Sequence, residues 1–218
     1  MNCCQCQGIE TCFNQTTAAR DLKRYRQKGP AKTTRFLLDA LKTLGVQGLT
    51  LLDVGGGVGA IQHQLLPAGV TRAAHVDAAS AYLHASQEEA ARLGHADRVA
   101  YHYGNFVDLA PTLSPADIVT LDRVICCYHD MPALVSGSVG LARRYYALVY
   151  PRDTWWLKAG FAAGNRLLSL RGNPFRVFAH PTRAVEAIIA GHGFTRRMYR
   201  QFLFWQVAIY CRQPPEEG

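Results

Sequence analysis

The sequence predicts an α/β fold in which helices cover both faces of a seven-stranded, mostly parallel sheet. From about residue 49 to residue 150, apolar runs of strand length alternate with segments of helical periodicity, the order typical of a parallel sheet. Two final strands, 194–200 and 203–211, are joined by almost no linker, so they are expected to form an antiparallel hairpin. The chain is therefore expected to contain five parallel strands followed by a C-terminal hairpin.

Residues 1–45 are predicted to form an N-terminal helical lid. Residues 14–28 have the composition of a basic, polar helix, and residues 32–44 carry apolar side chains at helical spacing. Gly29 and Pro30 separate these two helices, because proline cannot continue the hydrogen-bond ladder of a helix.

The central region alternates strands with helices. Its strands are near-continuous apolar runs, of which Asp117 to Leu121 is one example, as expected for strands that are buried on both faces. The predicted strands are 49–54, 72–76, 98–103, 116–121 and 145–150, and the predicted helices are 58–66, 79–93 and 132–143.

An aromatic-rich insertion, residues 152–180, follows the fifth strand and has apolar side chains at roughly helical spacing. Pro181 can begin the next helix, which Gly193 and the hairpin follow. We expect residues 46–212 to form one domain and residues 213–218 to be a flexible tail.

Composition excludes several classes of protein. The chain has 218 residues, of which 49% are hydrophobic and 18% charged, as in a globular domain. No apolar run reaches the roughly 18 residues of a membrane span, and no signal peptide is apparent, so a cytoplasmic protein is expected. The net charge of +8 favours anionic partners, but the basic residues are scattered. Nucleic-acid binding is therefore not expected, and the oligomeric state is not predicted.

Seven cysteines are present, and four of them lie close to the start of the sequence: Cys3, Cys4, Cys6 and Cys12. Their spacing is not the paired C-x2-C of a zinc site, and no metal site is predicted. Three thiolates could nevertheless hold a soft metal or an arsenic-type substrate. Packing of small side chains in the lid is the alternative.

The first strand runs directly into a glycine turn with the pattern Asp-x-Gly-x-Gly-x-Gly, formed by Asp53, Gly55, Gly57 and Gly59. Glycines allow a ligand to approach the main chain, and the following helix N-terminus offers free N–H groups. Asp77 ends the next apolar run, 22 residues after Gly55, where an acid can accept hydrogen bonds from both hydroxyls of a ribose. The sequence therefore predicts a nucleoside site.

Two nucleoside cofactors fit these residues. A dinucleotide fingerprint, G-x-G-x-x-G, would place its third small residue at Ala60, so nicotinamide binding stays open. The observed pattern more closely resembles motif I of the class I S-adenosylmethionine (SAM) methyltransferases, over about residues 49–150. The predicted sheet, with one hairpin strand inserted beside the fifth strand, is also similar to the Rossmann-like sheet of that superfamily. Small bacterial methyltransferases, and more distantly the magnesium-protoporphyrin O-methyltransferases, are the most similar groups.

This resemblance implies SAM as the cofactor and S-adenosylhomocysteine (SAH) as the product. In the family, the first acid helps to place the methionine ammonium, the glycine turn passes close to the cofactor, and the second acid binds the ribose. Carried over to this sequence, these positions are Asp53, Gly55, Gly56, Gly57, Gly59, Asp77 and Ala78.

Further cofactor contacts are implied after the third and fourth strands. Asn105 is expected near the adenine amino group, from which its side-chain oxygen can accept a hydrogen bond. Phe106 stacks on the adenine or is a core aromatic. Asp122 contacts the cofactor or orients Arg123, and Arg123 is otherwise a structural ion-pair partner. Tyr25, on the lid, is expected to help cover the methionine end.

Methyl transfer requires mainly the in-line positioning of an acceptor, with a general base where a hydroxyl must lose its proton. Histidine suits that role near neutral pH. His129 is the first candidate and His180 the second, although His180 is alternatively a helix-start residue that bonds to the backbone. Tyr128 is expected beside His129 over the transferred methyl.

The predicted function is SAM-dependent methyl transfer to a small-molecule acceptor, anionic or aromatic, with oxygen as the expected atom. Two alternatives stay open besides nicotinamide binding. One is a metalloid methyltransferase that uses the N-terminal thiols, and the other is a SAM-binding regulator without turnover.

Overall fold

One seven-stranded sheet organises the computed structural model, which describes the backbone of residues 4–213 and the side chains of residues 8–213. The strands are β1 (Thr50–Val54), β2 (Arg72–Asp77), β3 (Val99–Tyr103), β4 (Ala116–Asp122), β5 (Ala142–Pro151), β6 (Phe194–Gln201) and β7 (Trp205–Arg212). Their order is β3-β2-β1-β4-β5-β7-β6. Strands β1 to β5 are parallel, and β7 lies antiparallel between β5 and β6. The predicted fold class and the inserted hairpin strand are thus confirmed.

Helices surround this sheet. They are α1 (Cys4–Cys12), α2 (Gln15–Lys28), α3 (Lys32–Leu44), α4 (Ala60–Leu65), α5 (Ser80–Arg92), α6 (Phe106–Leu109), α7 (Met131–Gly140), α8 (Trp155–Leu170) and α9 (Thr182–Gly191). None of the helices within residues 4–213 is both long enough and apolar enough to cross a bilayer.

The largest difference from the predicted boundaries is at β5. The strand begins at Ala142, three residues before the predicted start, and α7 ends at Gly140 instead of residue 143. Arg143 and Arg144 are exposed and interrupt the apolar run, and the pairing with β4 shifts register beside Ala116. Because exposed arginines at a bulge break the apolar pattern, hydrophobic periodicity does not detect the start of this strand. Helices α1 and α6 were not predicted, and α6 is too short to show a period.

Apolar side chains of β5 alternate between the two faces of the sheet. Tyr146 and Leu148 belong to a core cluster with α7 and α9, whereas Tyr145 and Ala147 belong to a cluster with α3 and α4. Burial on both faces accounts for the apolar runs in the sequence. Both clusters hold the parallel strands rigidly, so that their C-terminal ends form a fixed edge.

Charged contacts hold α2 beside α5 above that edge. Arg26 Nε donates to Glu89 Oε2 at 2.7 Å, and Arg92 Nη2 donates to Glu89 Oε1 at 2.5 Å. Glu89 is buried, and the hydrogen bonds from Arg92 and Arg26 lower its pKa to about 2. Tyr82 also donates its hydroxyl hydrogen to Asp21 Oδ2 at 2.6 Å. These contacts position the lid predicted over residues 1–45.

The predicted insertion forms α8 and an extended return segment. Leu157 is the one buried residue of α8. Asn165 ties the helix to the return segment, since its amide exchanges two hydrogen bonds with the Val177 backbone at 2.8 and 2.9 Å. The domain limits 46–212 stay predictions, and the predicted tail lies outside the described residues except for residue 213.

Candidate functional site

A cavity of about 520 Å³ opens at the C-terminal ends of β1 to β4, between α2 and α8. This is the edge of an open parallel sheet at which ligands bind. Twelve of the predicted site residues line it: Tyr25, Asp53, Gly55, Gly56, Gly57, Asp77, Ala78, Asn105, Phe106, Asp122, Arg123 and Tyr128. Gly59, His129 and His180 are not among the described residues that line it.

Asp53 is the penultimate residue of β1, just before the glycine turn, and is almost completely buried. Thr120 donates its hydroxyl hydrogen to Asp53 Oδ1 at 2.7 Å, but Oδ2 has no hydrogen-bond partner within the described residues. Burial raises the pKa of Asp53 to about 7, and the negative charges of Asp122 and Asp77 act in the same direction. A buried, unsatisfied carboxylate oxygen of this kind is suited to a cationic partner.

The glycine turn depends on glycine in two ways. Gly55, Gly57 and Gly59 have φ angles of 62°, 57° and 79°, a region that side chains disfavour. Gly56 has an ordinary backbone, but a Cβ there would lie 2.7 Å from a carbon of the buried His75 ring and 2.8 Å from Asp53 Oδ2. Gly59 is the N-cap of α4, and a Cβ there would meet the side chains of Ser86 and His63; Gly59 is not among the described residues that line the cavity, so its predicted cofactor contact stays a prediction.

Asp77 fixes the same turn from the neighbouring strand. The Gly57 N–H donates to Asp77 Oδ2 at 2.9 Å, and the Ala79 N–H donates to Oδ1 at 2.8 Å. Each carboxylate oxygen retains a lone pair for a further donor. Burial raises the pKa of Asp77 to about 6 although these backbone hydrogen bonds oppose the shift. Ala78, which directly follows the end of β2, also lines the cavity.

Asn105 and Phe106 lie at the end of β3. Asn105 is the N-cap of α6, and its Oδ1 accepts a long, 3.4 Å hydrogen bond from the Val107 N–H. Phe106 is buried in the core cluster beneath α7 and lines the cavity as well. The two readings of Phe106, ring contact and core aromatic, are therefore compatible.

Asp122 and Arg123 form an ion pair at the end of β4. Arg123 Nε donates to Asp122 Oδ1 at 2.9 Å, and Thr34 donates its hydroxyl hydrogen to Asp122 Oδ2 at 2.5 Å. Arg123 has a φ of 62°, which is unusual for a residue with a side chain. Its guanidinium lies 6.0 Å from the centre of the Trp205 ring. The ion pair thus joins the lid helix α3 to the loop that follows β4.

The three predicted catalytic residues lie next to one another, but of the three only Tyr128 lines the cavity. Tyr128 is buried and lines the cavity, whereas His129 is exposed and stacks on Tyr128 with 5.4 Å between ring centres. His180 Nε2 donates to the Tyr128 carbonyl oxygen at 2.8 Å, as expected for the alternative backbone-bonding role. Burial lowers the pKa of His180. Neither histidine reaches the cavity, so a base at either position remains a prediction that this geometry does not favour.

Several lining residues lie outside the sequence prediction. Asp21 and Arg24 flank Tyr25 on the cavity side of α2, and the four-residue spacing of Asp21 and Tyr25 on one helix was an available signal. Six other lining residues were not predicted; four of them come from separate parts of the chain, whereas the two cysteines lie between the predicted residues Arg123 and Tyr128. They are Thr34, Cys126, Cys127, Phe161, Val177 and Trp205.

Two adjacent thiols lie on the cavity wall. The Sγ atoms of Cys126 and Cys127 are 3.7 Å apart. A hydrogen bond between the two thiols that favours the protonated form of Cys127, together with burial, raises the pKa of Cys127, so this thiol is protonated at neutral pH. Cys3 and the side chains of Cys4 and Cys6 lie outside the described residues. Within the described part of the chain, no group of three or more metal-ligating side chains could hold a metal ion.

Acidic side chains dominate the charge of the cavity, although the whole chain carries a net charge of +8. Four carboxylates line it, from Asp21, Asp53, Asp77 and Asp122, against the guanidinium groups of Arg24 and Arg123. This arrangement suits a ligand with a positive centre, a ribose and an apolar ring.

Solved structures share this architecture. Magnesium protoporphyrin IX methyltransferase from Synechocystis PCC 6803, with bound SAH, is 19% identical and matches with a TM-score of 0.71 over 96% of this chain and 100% of that chain. An O-methyltransferase family protein from Burkholderia thailandensis is 20% identical, with a TM-score of 0.65 over 94% of this chain and 64% of that chain. The fold is that of a class I SAM-dependent methyltransferase.

A third structure with this fold is a geranyl diphosphate methyltransferase in complex with GPP and sinefungin. It is 15% identical, with a TM-score of 0.65 over 83% of this chain and 76% of that chain. No protein-family model matches the chain, and no curated protein matches its sequence. At identities this low, the likeness establishes the fold, and function must be argued from the site.

Proposed function

We propose that this protein is a SAM-dependent methyltransferase that acts on a small molecule, with oxygen as the expected acceptor atom. The observation that carries the proposal is the pair of buried carboxylates, Asp53 and Asp77, on the two sides of the glycine turn. Asp53 retains an oxygen that no described residue pairs, and Asp77 already orients the turn by accepting the Gly57 N–H while its other oxygen accepts the Ala79 N–H. Similar structures with bound SAM and SAH support the same cofactor here.

The chain offers a group for each part of this cofactor. The carboxylate of Asp77 would accept hydrogen bonds from the ribose hydroxyls, and Asn105 and Phe106 would hold the adenine. Asp53 and the acidic cavity wall would favour the positive methionine end, and Arg24 would favour its carboxylate. When bound, SAM supplies a methyl group on a sulfonium that is already activated for transfer.

Acceptor binding is proposed for the other half of the cavity. Tyr128, Phe161, Val177 and Trp205 line it with aromatic and apolar surface, which suits a flat or apolar acceptor. The chain would act chiefly by positioning the acceptor and by excluding water. An acceptor oxygen that is already ionised needs no base, in keeping with the exposed position of His129.

The test is calorimetric titration of the purified protein with SAM, SAH and NAD. Binding of SAM and SAH without binding of NAD supports the proposal, and binding of NAD alone would refute it. Asp53→Asn should weaken SAM binding, whereas Asp39→Asn, at an exposed position on α3, should not. Binding of SAM without turnover of any acceptor, in a cavity too small to admit one, would favour a regulator.

Metalloid methylation is the second candidate, because Cys126 and Cys127 place two thiols on the cavity wall. Soft trivalent metalloids bind such pairs of sulfur ligands. Replacing Cys126 and Cys127 by serine should then abolish arsenite-dependent turnover, and replacing Cys3, Cys4 and Cys6 together tests the N-terminal thiols. Unchanged turnover in both variants would exclude this candidate.

A cytoplasmic location stays a prediction.

A further inference from the structure

Helix α8 has an apolar outer face that no described residue covers. The face consists of Trp155, Ala159, Ala163, Leu167 and Leu170, which recur at intervals of three or four residues and therefore share one side of the helix. Trp155 is 81% exposed and Leu170 is 78% exposed. The row extends over about 22 Å at the helical rise. Large apolar side chains arranged in this way mark an interaction surface.

The turn between β6 and β7 extends this outer face. Leu203 in the turn is 68% exposed, and Phe204 is also exposed. The Phe204 ring contacts the Trp156 ring, with 5.7 Å between their centres, so the turn lies at the N-terminal end of α8. Aromatic and aliphatic side chains from two separate parts of the chain are thus presented together.

The charged residues of α8 and of the segment that follows it are all basic. From residue 154 to residue 185 the sequence contains five basic residues and no acidic residue. Lys158, Arg166 and Arg171 are exposed, and none of them forms an ion pair with a described residue. Long basic side chains can lay their apolar stems along such a face while their charges reach outward. A partner that binds this outer face should therefore combine apolar groups with negative charge.

We propose that the outer face of α8 docks on the surface of a bilayer that contains anionic lipids. Amphipathic helices with exposed tryptophan and leucine and with flanking lysine and arginine bind there, their apolar side at the headgroup boundary. A second copy of the chain fits poorly. A two-fold interface would bring Lys158, Arg166 and Arg171 of both copies together without any acid between them. The other side of α8 carries Phe161, which lines the cavity. Helix α8 therefore covers the cavity, and docking would place this cover next to the lipid.

The experiment is co-sedimentation of the full-length protein with vesicles, without SAM or acceptor. One set contains phosphatidylcholine alone, and the other contains equal parts of phosphatidylcholine and phosphatidylserine. We expect binding to the second set, weakened by added salt. Trp155→Ala combined with Leu170→Ser should weaken binding at least about tenfold. Each of Lys158→Gln, Arg166→Gln and Arg171→Gln should weaken it about fivefold.

Matched controls are Leu93→Ser, directly after α5, and Lys42→Gln, on α3; both residues are exposed, and both variants should leave vesicle binding unchanged. Melting temperatures check that each variant is folded, which is expected because the substituted side chains are exposed. Failure of the protein to bind anionic vesicles would overturn the proposal. So would unchanged binding by the Trp155 and Leu170 double variant, or a dimer in light scattering that this variant abolishes. The SAM titration is independent of these results.

Discussion

Asp77→Asn separates the ligand-binding role of this residue from its structural role. In the wild type, each carboxylate oxygen accepts one backbone N–H, from Gly57 and from Ala79. An amide has one oxygen and one NH2 group, so either the Gly57 or the Ala79 N–H would face a donor. Leaving one buried N–H unsatisfied in this way costs about 1 to 3 kcal/mol.

The same substitution removes a buried charge, which stabilises the free protein. Burial raises the pKa of Asp77 to about 6 from a model-compound value of 3.8. A shift of that size corresponds to about 3 kcal/mol against the ionised form at neutral pH. The two effects offset each other, so the free energy of unfolding without ligand should change by less than about 2 kcal/mol.

For the affinity of the cofactor, no second effect of Asp77→Asn offsets the loss. If the ribose hydroxyls donate to the carboxylate, replacing it by an amide loses about 1.5 to 3 kcal/mol, or about 10-fold to 150-fold in the SAM dissociation constant. Titration calorimetry and urea unfolding of the wild type, Asp77→Asn and Asp39→Asn measure both quantities. A SAM affinity within twofold of the wild type in a folded Asp77→Asn variant would refute the ribose assignment.

The pH dependence follows from the same carboxyl group. Its pKa in the free protein is raised above the unfolded value, so ionisation above that value costs the free protein stability, while binding requires the ionised form. SAM affinity should therefore fall about tenfold for each pH unit below about 6. Asp77→Asn should remove this contribution. An affinity that is the same at pH 7 and pH 5 in the wild type would contradict the reasoning.

Three further predictions concern the glycine turn, the contact between the lid helix α2 and α5, and helix α8, which covers the cavity. Gly56→Ala forces a Cβ against a buried imidazole and should destabilise the fold by about 1 to 3 kcal/mol in thermal unfolding, whereas Gly164→Ala, at an open position on α8, should not. Glu89→Gln should cost about 1.5 to 3 kcal/mol at pH 7. The stability that Glu89 contributes is present above its unfolded pKa of 4.5, and urea unfolding should show the difference from the wild type shrinking as pH falls towards 2. Asn165→Ala removes both hydrogen bonds to Val177, so amide hydrogen exchange in α8 should accelerate. The melting temperature of the whole protein should stay within about 2 °C of the wild type. Unchanged exchange would count against the role of Asn165 in holding α8 to the return segment.

The sheet and the cavity residues at the ends of β1 and β2 were predictable because their signals are local. A strand buried on both faces is visible as an apolar run; Asp53 lies one residue before the end of one such run, and Asp77 ends the next. The placement of His129 was not predictable in the same way. It depends on the left-handed backbone of Arg123 and on the short helical turn at 125–127, which together direct Tyr128 inward and leave His129 in solvent.

Long-range contacts explain the other differences. Asn105 caps α6, which is too short to be read from periodicity. Gly59 is required by the buried side chains of Ser86 and His63 behind it, and that requirement cannot be seen in a glycine pattern. The proposed acceptor half is assembled from α8, the loop after β4, the segment after α8 and the start of β7, so its composition emerges only when the chain is folded.

The carboxylates of Asp53, Asp77 and Asp122 have a consequence for how long the protein survives in a cell. Burial, and to a smaller extent the charges of Asp122 and Asp77, disfavour the ionised form of Asp53 and so weaken the ligand-free molecule at neutral pH, and the proposed cationic cofactor would relieve this effect. Resistance to proteases should therefore rise and fall with the supply of that cation, so that starvation for it removes the idle molecules first.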